Sequence, residues 1–125
     1  KEAARKLVRT AGAAARVTLV PDRKTISADG YDLSFVTVRI EDSDGNLCPL
    51  ADNKVTFSLK GPGEIAGVDN GNAATTDPFQ ANWRRAFNGL ALAIIRSGPG
   101  ESGKIVLQAE AATLTAARTT IAVKP

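Results

Sequence analysis

From residue 16 onward the chain alternates apolar and polar side chains in short runs, each ending at turn-forming residues. A period of two sends successive side chains to opposite faces, so each run predicts a strand with one face toward a core. Residues 16–21 place Val17 and Leu19 on one side, with Pro21 suited to a strand end or edge. Residues 24–28 form a short piece around Ile26, closed by Asp29-Gly30. The clearest alternation is 33–42, where Val36, Val38 and Ile40 oppose Thr37, Arg39 and Glu41 before the turn residues of 42–46. Residues 54–60 direct Val55, Phe57 and Leu59 inward, and Ile65 and Val68 mark a brief strand before Asn70-Gly71. Residues 104–110 and 113–123 supply two more strands. Leu90 to Ile95 differs from all of these: it is an unbroken apolar run, the pattern of a strand buried in a packed core. Leu92 is accordingly expected in the dry layer with Val36, Val38 and Phe57.

Turn signals recur at intervals of about ten residues, and the body contains no helical period. The expected fold is all-β, an immunoglobulin-like antiparallel two-sheet β-sandwich of seven to nine strands. The Cys–Trp–Cys spacing of antibody domains is missing, so that kinship is architectural. Residues 15–125 are expected to form this domain. Upstream, Ala3, Ala4, Leu7, Val8 and Ala11 fall at helical spacing, a segment marginal in isolation, and residues 10–15 are small and linker-like.

The organising stretch is 79–97. It holds the sole tryptophan, Trp83, with Phe79, Phe87 and the Arg84-Arg85 pair, then the Asn88-Gly89 dipeptide that favours a tight turn, then the apolar run. The stretch 72–86 is the longest without periodicity and reads as a loop. Phe79, Trp83, Arg84, Arg85 and Phe87 are the candidate site residues. Three readings compete: the phenylalanines plug one end of the sandwich with Trp83 across it, the cluster contacts another domain, or Trp83 stacks on a sugar.

Composition narrows the chemistry. With 125 residues, one domain with a single core is the natural size. No apolar run approaches the roughly 20 residues that span a bilayer, so no membrane partner is expected. The start KEAARKLVR does not read as a signal peptide, which for a fragment says nothing of where its parent goes. The net charge is +3, but residues 1–24 carry seven cations against two acids and the remainder nine against eleven. The excess is therefore terminal; a basic face on the folded body is not expected, nor a nucleic-acid partner. There is no histidine, which removes imidazole acid–base chemistry and most zinc sites. Cys48 is alone and reads as a small apolar residue rather than a nucleophile.

Two motif matches fail on their context. Residues 98–104 have the G-x-x-x-x-G-K spacing of a phosphate loop, but Ile105 stands where Ser or Thr would bind magnesium and a strand follows instead of a helix. That segment reads as a glycine-rich hairpin loop. Asp42, Asp44 and Asn46 begin like a calcium loop, yet Leu47 replaces its glycine and Asn53 its final glutamate. A looser calcium site with Asp69 competes with plain solvated turn carboxylates. Every Asp and Glu is expected in a turn or on an exposed strand position, so none is set up as a raised-pKa general acid. No catalytic residue, metal or cofactor is assigned.

The ordered segments VRTAG (8–12), DRKTISADGYDLSFVTVRIEDSDGN (22–46), ADNKVTFSLKGPGEIAGVDNG (51–71), PFQANWRRAFNG (78–89) and LALAIIRS (90–97) resemble the C-terminal domain of glycoside hydrolase family 2 β-galactosidases. The resemblance runs from about Val8 to the C-terminus. It implies an immunoglobulin-like accessory domain without catalytic residues, since the family's two glutamates lie in a barrel whose motifs are not matched here. It implies a bacterial parent, periplasmic or secreted, that hydrolyses glycosidic bonds in carbohydrate metabolism and whose other domains are this chain's partners, with carbohydrate or an adhesin-type spacer role as alternatives. It also implies that 1–14 is a linker or the orphaned last strand of the preceding domain, in competition with the helix.

Overall fold

The alternation becomes nine strands. A computed structural model describes residues 11–72 and 77–125: β1 (Arg16–Pro21), β2 (Thr25–Ser27), β3 (Leu33–Glu41), β4 (Lys54–Lys60), β5 (Gly63–Asp69), β6 (Trp83–Arg85), β7 (Leu90–Ser97), β8 (Gly103–Glu110) and β9 (Ala117–Lys124). One sheet runs β1-β3-β7-β5 and the other β2-β9-β8-β4-β6; we refer to them as the β7 sheet and the β8 sheet. All pairings are antiparallel except that of β2 with β9, which is parallel. The helix, linker or orphan-strand expectation for the N-terminus falls largely on residues 1–10, outside the described residues.

The core is the layer the alternation implies. Val17, Val36, Val38, Ile40, Val68, Ala91, Ala93 and Ile95 of the β7 sheet meet Ile26, Val55, Phe57, Ile105, Leu107, Ala109, Ile121 and Val123 of the β8 sheet. Removing this apolar surface from water is the main drive for the two sheets to face each other.

Five local expectations are corrected. Leu92 is not in the dry layer: β7 alternates, with Ala91, Ala93 and Ile95 inward and Leu90, Leu92 and Ile94 outward and half-buried. The strand period overrides the continuous apolar run, because a two-layer sandwich covers only one face of each sheet. The aperiodic stretch contains β6, whose inward residue is Arg84; a three-residue Trp–Arg–Arg strand that turns its arginine inward carries no apolar period to read. The expected strand at 113 starts only at Ala117, because Thr113 has φ 68° and Leu114 N–H bonds back to Ala111 in a turn. Residues 98–104 join β7 to β8 in opposite sheets, so they form a crossover rather than a hairpin loop. Finally, β2 is not antiparallel to its neighbour, because it reaches the β8 sheet from the end of β1 without reversing against β9.

Asn88-Gly89 does make the tight turn. Both residues have positive φ, 55° and 78°, and Phe87 and Leu90 exchange both backbone hydrogen bonds across it, at 2.8 and 3.0 Å. That is the mirror-image two-residue turn that asparagine and glycine tolerate.

Candidate functional site

The five candidate residues do not converge; β6 and its flanks distribute them over different surfaces. Trp83 and Arg85 project outward from β6, the edge strand of the β8 sheet, opposite Thr56 and Lys54 of β4. The Lys54 ammonium lies 4.8 Å and the Arg85 guanidinium 5.4 Å from the Trp83 ring centroid. Arg85 Nη1 also donates to both carboxylate oxygens of Asp77, at 3.0 and 3.1 Å. Both cations are thus held at the indole by favourable ring electrostatics.

Arg84 points the other way and is only 2% exposed, so as placed it touches no partner. Its guanidinium crosses to the edge of the β7 sheet and donates to the carbonyls of Val68 (3.1 Å), Pro78 and Asp77 (3.4 Å), while its Nε has no partner. A buried guanidinium satisfied by carbonyls ties the edge strands β5 and β6 together and holds residues 77–82 against β5.

Phe79 does not plug the core. Its carbonyl accepts from Val68 N–H at 2.8 Å, and its ring lies over Gly67 on the outer face of the β7 sheet, 53% exposed. A Cβ at Gly67 would collide with that ring. Phe87 is 39% exposed beside the Asn88-Gly89 turn, which packs against Leu47 and Cys48. Near that end lies a 560 Å³ pocket lined by Ala11, Gly12, Leu47, Cys48, Pro49 and Leu50, among others, and Leu50 is 92% exposed.

Three acids have clearly lowered pKa values. Glu41 and Asp42, expected on exposed or turn positions, are 7% and 3% exposed. They tolerate burial because donors surround them. Asp42 accepts from the backbone N–H of Gly12 (2.8 Å), Asp44 (2.9 Å) and Asn46 (2.9 Å), and from the Asn46 side chain (3.2 Å). The Gly12 bond leads in holding its pKa down at about 2. Glu41 is held below the usual carboxylate range chiefly by Arg39, with Arg16 adding a second ion pair. Asp32 is lowered to about 2, chiefly by Arg23. All three shift in the sense opposite to a general acid. Burial pushes the Cys48 thiol up, with Asp42 and Glu41 adding to it, so it stays an inert thiol. Among the described residues, no group of three or more acids or Cys could hold a metal ion.

Two things escaped sequence reasoning. One is the distribution of charge: Lys54, Lys60, Arg85, Lys104, Arg118 and Lys124 all point outward from the β8 sheet, against Glu110 and the Asp77 that pairs with Arg85. The body therefore does carry a basic face, which a net count hides because the acids lie elsewhere. The other is the outward set Val20, Phe35, Leu92 and Ile94 on the β7 sheet. Its signal was the apolar run of β7, read as core on both sides.

Comparison with known proteins places this architecture. Residues 17–120 match the family described as glycoside hydrolase family 2 C-terminal domain 5. A β-galactosidase of Bacteroides ovatus, BoGH2A, is 49% identical over 109 residues, which is 87% of this chain and 13% of that protein. Among solved structures, a glycosyl hydrolase family 2 member from Bacteroides cellulosilyticus superposes with a TM-score of 0.89 at 39% identity, over 92% of this chain and 15% of its own. A β-glycosidase from Bacteroides vulgatus gives a TM-score of 0.88 at 30% identity over 92% and 15% of the two chains. This chain thus spans roughly one seventh of the relatives it matches, and it belongs to the glycoside hydrolase family 2 C-terminal domain 5 family.

Proposed function

We propose that this chain is a non-catalytic accessory domain of a bacterial glycoside hydrolase of the β-galactosidase type, whose remaining domains cleave O-glycosidic bonds. The supporting observation is the 49% identity to a β-galactosidase of which it covers 13%, in a domain whose shifted acids all move away from general-acid chemistry. In this reading the domain packs against other parts of its parent, and the exposed residues of the 79–89 region, Trp83, Arg85 and Phe87, belong to the contact surface. Arg84 supports that surface from inside without touching the partner.

The test uses the full-length parent with Trp83→Ala and Arg85→Ala. Packing predicts a lower thermal midpoint with an unchanged KM for a galactoside; unchanged stability and turnover would refute the contact. Electrophoretic retardation on galactan that Trp83→Ala abolishes would replace packing with sugar binding.

A further inference from the structure

We propose that the outer face of the β7 sheet, centred on Phe35, Ile94 and Phe79, is the surface on which another domain of the parent chain docks. The proposal rests on the accessory-domain reading but assigns the main contact to a different surface from the Trp83 region.

The centre of the face is apolar, carried by β3 and β7 with Val20 of β1 and the Phe79 ring over β5. Strand register sets Val20 beside Thr37 and Thr37 beside Leu92 in one row, and Phe35 beside Ile94 and Ile94 beside Gly67 in the next, with the Phe79 ring lying over Gly67. Val20 is 53%, Phe35 38% and Phe79 53% exposed. Charge lies around this centre: Glu64 pairs with Arg96 and Glu41 with Arg39 and Arg16, while Asp69 stands beside Leu92 on the β5 edge and Asp22 beside Phe35 on the β1 edge. An apolar centre with a polar rim is interface anatomy, and a water-facing antiparallel sheet instead carries polar residues outward. The β8 sheet comes much closer to that, with Thr56, Ser58, Gln108 and Thr120 among its outward positions and Trp83, Val106 and Ala122 as the apolar exceptions.

Phe79 is also held in place before any partner arrives. Gly67 leaves room for its ring, Val68 N–H bonds its carbonyl, and buried Arg84 fixes the preceding Pro78 carbonyl. An aromatic fixed in advance loses little freedom on binding.

The occupant follows from length and connection. Relatives are about seven times as long as this chain, so most of the parent lies outside it. The described chain enters through residues 11–15, pinned by Gly12 N–H on Asp42 and Ala15 N–H on the Glu41 carbonyl, and continues directly into β1, an edge strand of this same sheet. Val20 stands within that strand. A tethered domain meets the face at high effective concentration, so a handful of apolar side chains suffices. A second copy would need a free-standing interface of roughly 20–30 residues a side.

Hydroxyl-radical footprinting of the full-length parent tests this, with labelling normalised for side-chain reactivity and Tyr31, 83% exposed, as the internal reference. Phe35 and Phe79 are expected to label several-fold more slowly than Tyr31 at every protein concentration. Val20→Asp is expected to restore their labelling and lower the thermal midpoint more than Thr120→Asp on the opposite face. Labelling at the Tyr31 rate overturns the proposal. Protection that disappears on dilution overturns it in favour of a second copy. If Trp83 and Phe87 are protected while Phe35 is not, this proposal fails and the accessory-domain reading stands; if none of them is protected, both fail.

Discussion

On the β7 sheet the outward positions of β3 and β7 are mainly apolar, Phe35, Leu90, Leu92 and Ile94 with Thr37 between them and Arg39 and Arg96 toward the ends, whereas on the β8 sheet those of β4, β8 and β9 are mainly polar, Thr56, Ser58, Lys60, Gln108, Arg118 and Thr120 among them, with Val106 and Ala122 the apolar exceptions. The inner faces of the two sheets are equally apolar, so the sandwich core does not need this difference. Each sheet requires one apolar face to fold. The second apolar face of the β7 sheet is therefore a demand from outside the sandwich. Covering Val20, Phe35 and Phe79, each already partly buried, contributes about 1 kcal/mol apiece, which is too little for free association and ample for a tethered neighbour. Between the faces stands Arg84, which reaches from the β8 sheet to β5.

The strongest way to break the contrast is Arg84→Ala. It removes the guanidinium that satisfies the Val68, Pro78 and Asp77 carbonyls and leaves a cavity between the sheet edges, so a loss of about 3–5 kcal/mol is expected from urea unfolding of the chain. A loss below about 1 kcal/mol would remove Arg84 as the tie between the sheets. Next is Gly67→Ala, whose methyl collides with the Phe79 ring. It is expected to destabilise by about 1–3 kcal/mol. Much of that penalty is expected to vanish in a Phe79→Ala background, where the methyl has room. Additive losses in this double-mutant cycle would mean that Phe79 does not rest on Gly67.

The inner faces were legible because their residues keep strict alternation: Val36, Val38 and Ile40, or Val55 and Phe57, state a face directly. The turn at Asn88-Gly89 was legible for the same local reason, since few dipeptides tolerate two positive φ values. Arg84 was not legible. A buried arginine looks like any surface arginine until the fold brings β5 and the loop before β6 together so that the Val68, Asp77 and Pro78 carbonyls face it. The candidate cluster failed as a cluster because adjacent residues on a strand point to opposite faces, so Trp83 and Arg84 could not share a surface once β6 formed. The outer apolar belt was half legible. The run Leu90–Ile95 does demand cover on both faces, but one chain of two layers supplies it on one.

Acid sharpens the comparison further. Among the described residues, the carboxylates held low, Asp32, Glu41 and Asp42, all lie in β3 or immediately beside it, on the β7 side. A depressed folded pKa contributes stability that is present above the unfolded value near 4 and is lost as pH falls through the folded value of about 2. Amides of β1 and β3 are therefore expected to lose hydrogen-exchange protection before those of β8 and β9 as pH drops from about 5 to about 2. Asp42→Asn should flatten that dependence. Simultaneous loss in both sheets would mean that these acids act on the whole fold rather than on one side.

The smallest effect separates two aromatics of the same segment. Trp83 sits under Lys54 and Arg85 on the cationic face, and Phe79 sits on Gly67 on the apolar one. Lys54→Met is expected to cost about 0.5–1 kcal/mol at low salt and to change the fluorescence of Trp83, the sole tryptophan. About 1 M NaCl should erase most of that cost, because exposed charge interactions are screened within about 3 Å at that strength. The cost of Phe79→Ala should persist in the same salt, since burial of an apolar ring is not screened. If salt weakened both equally, the two faces would share one electrostatic origin, and the division between an apolar face and a basic face would be lost.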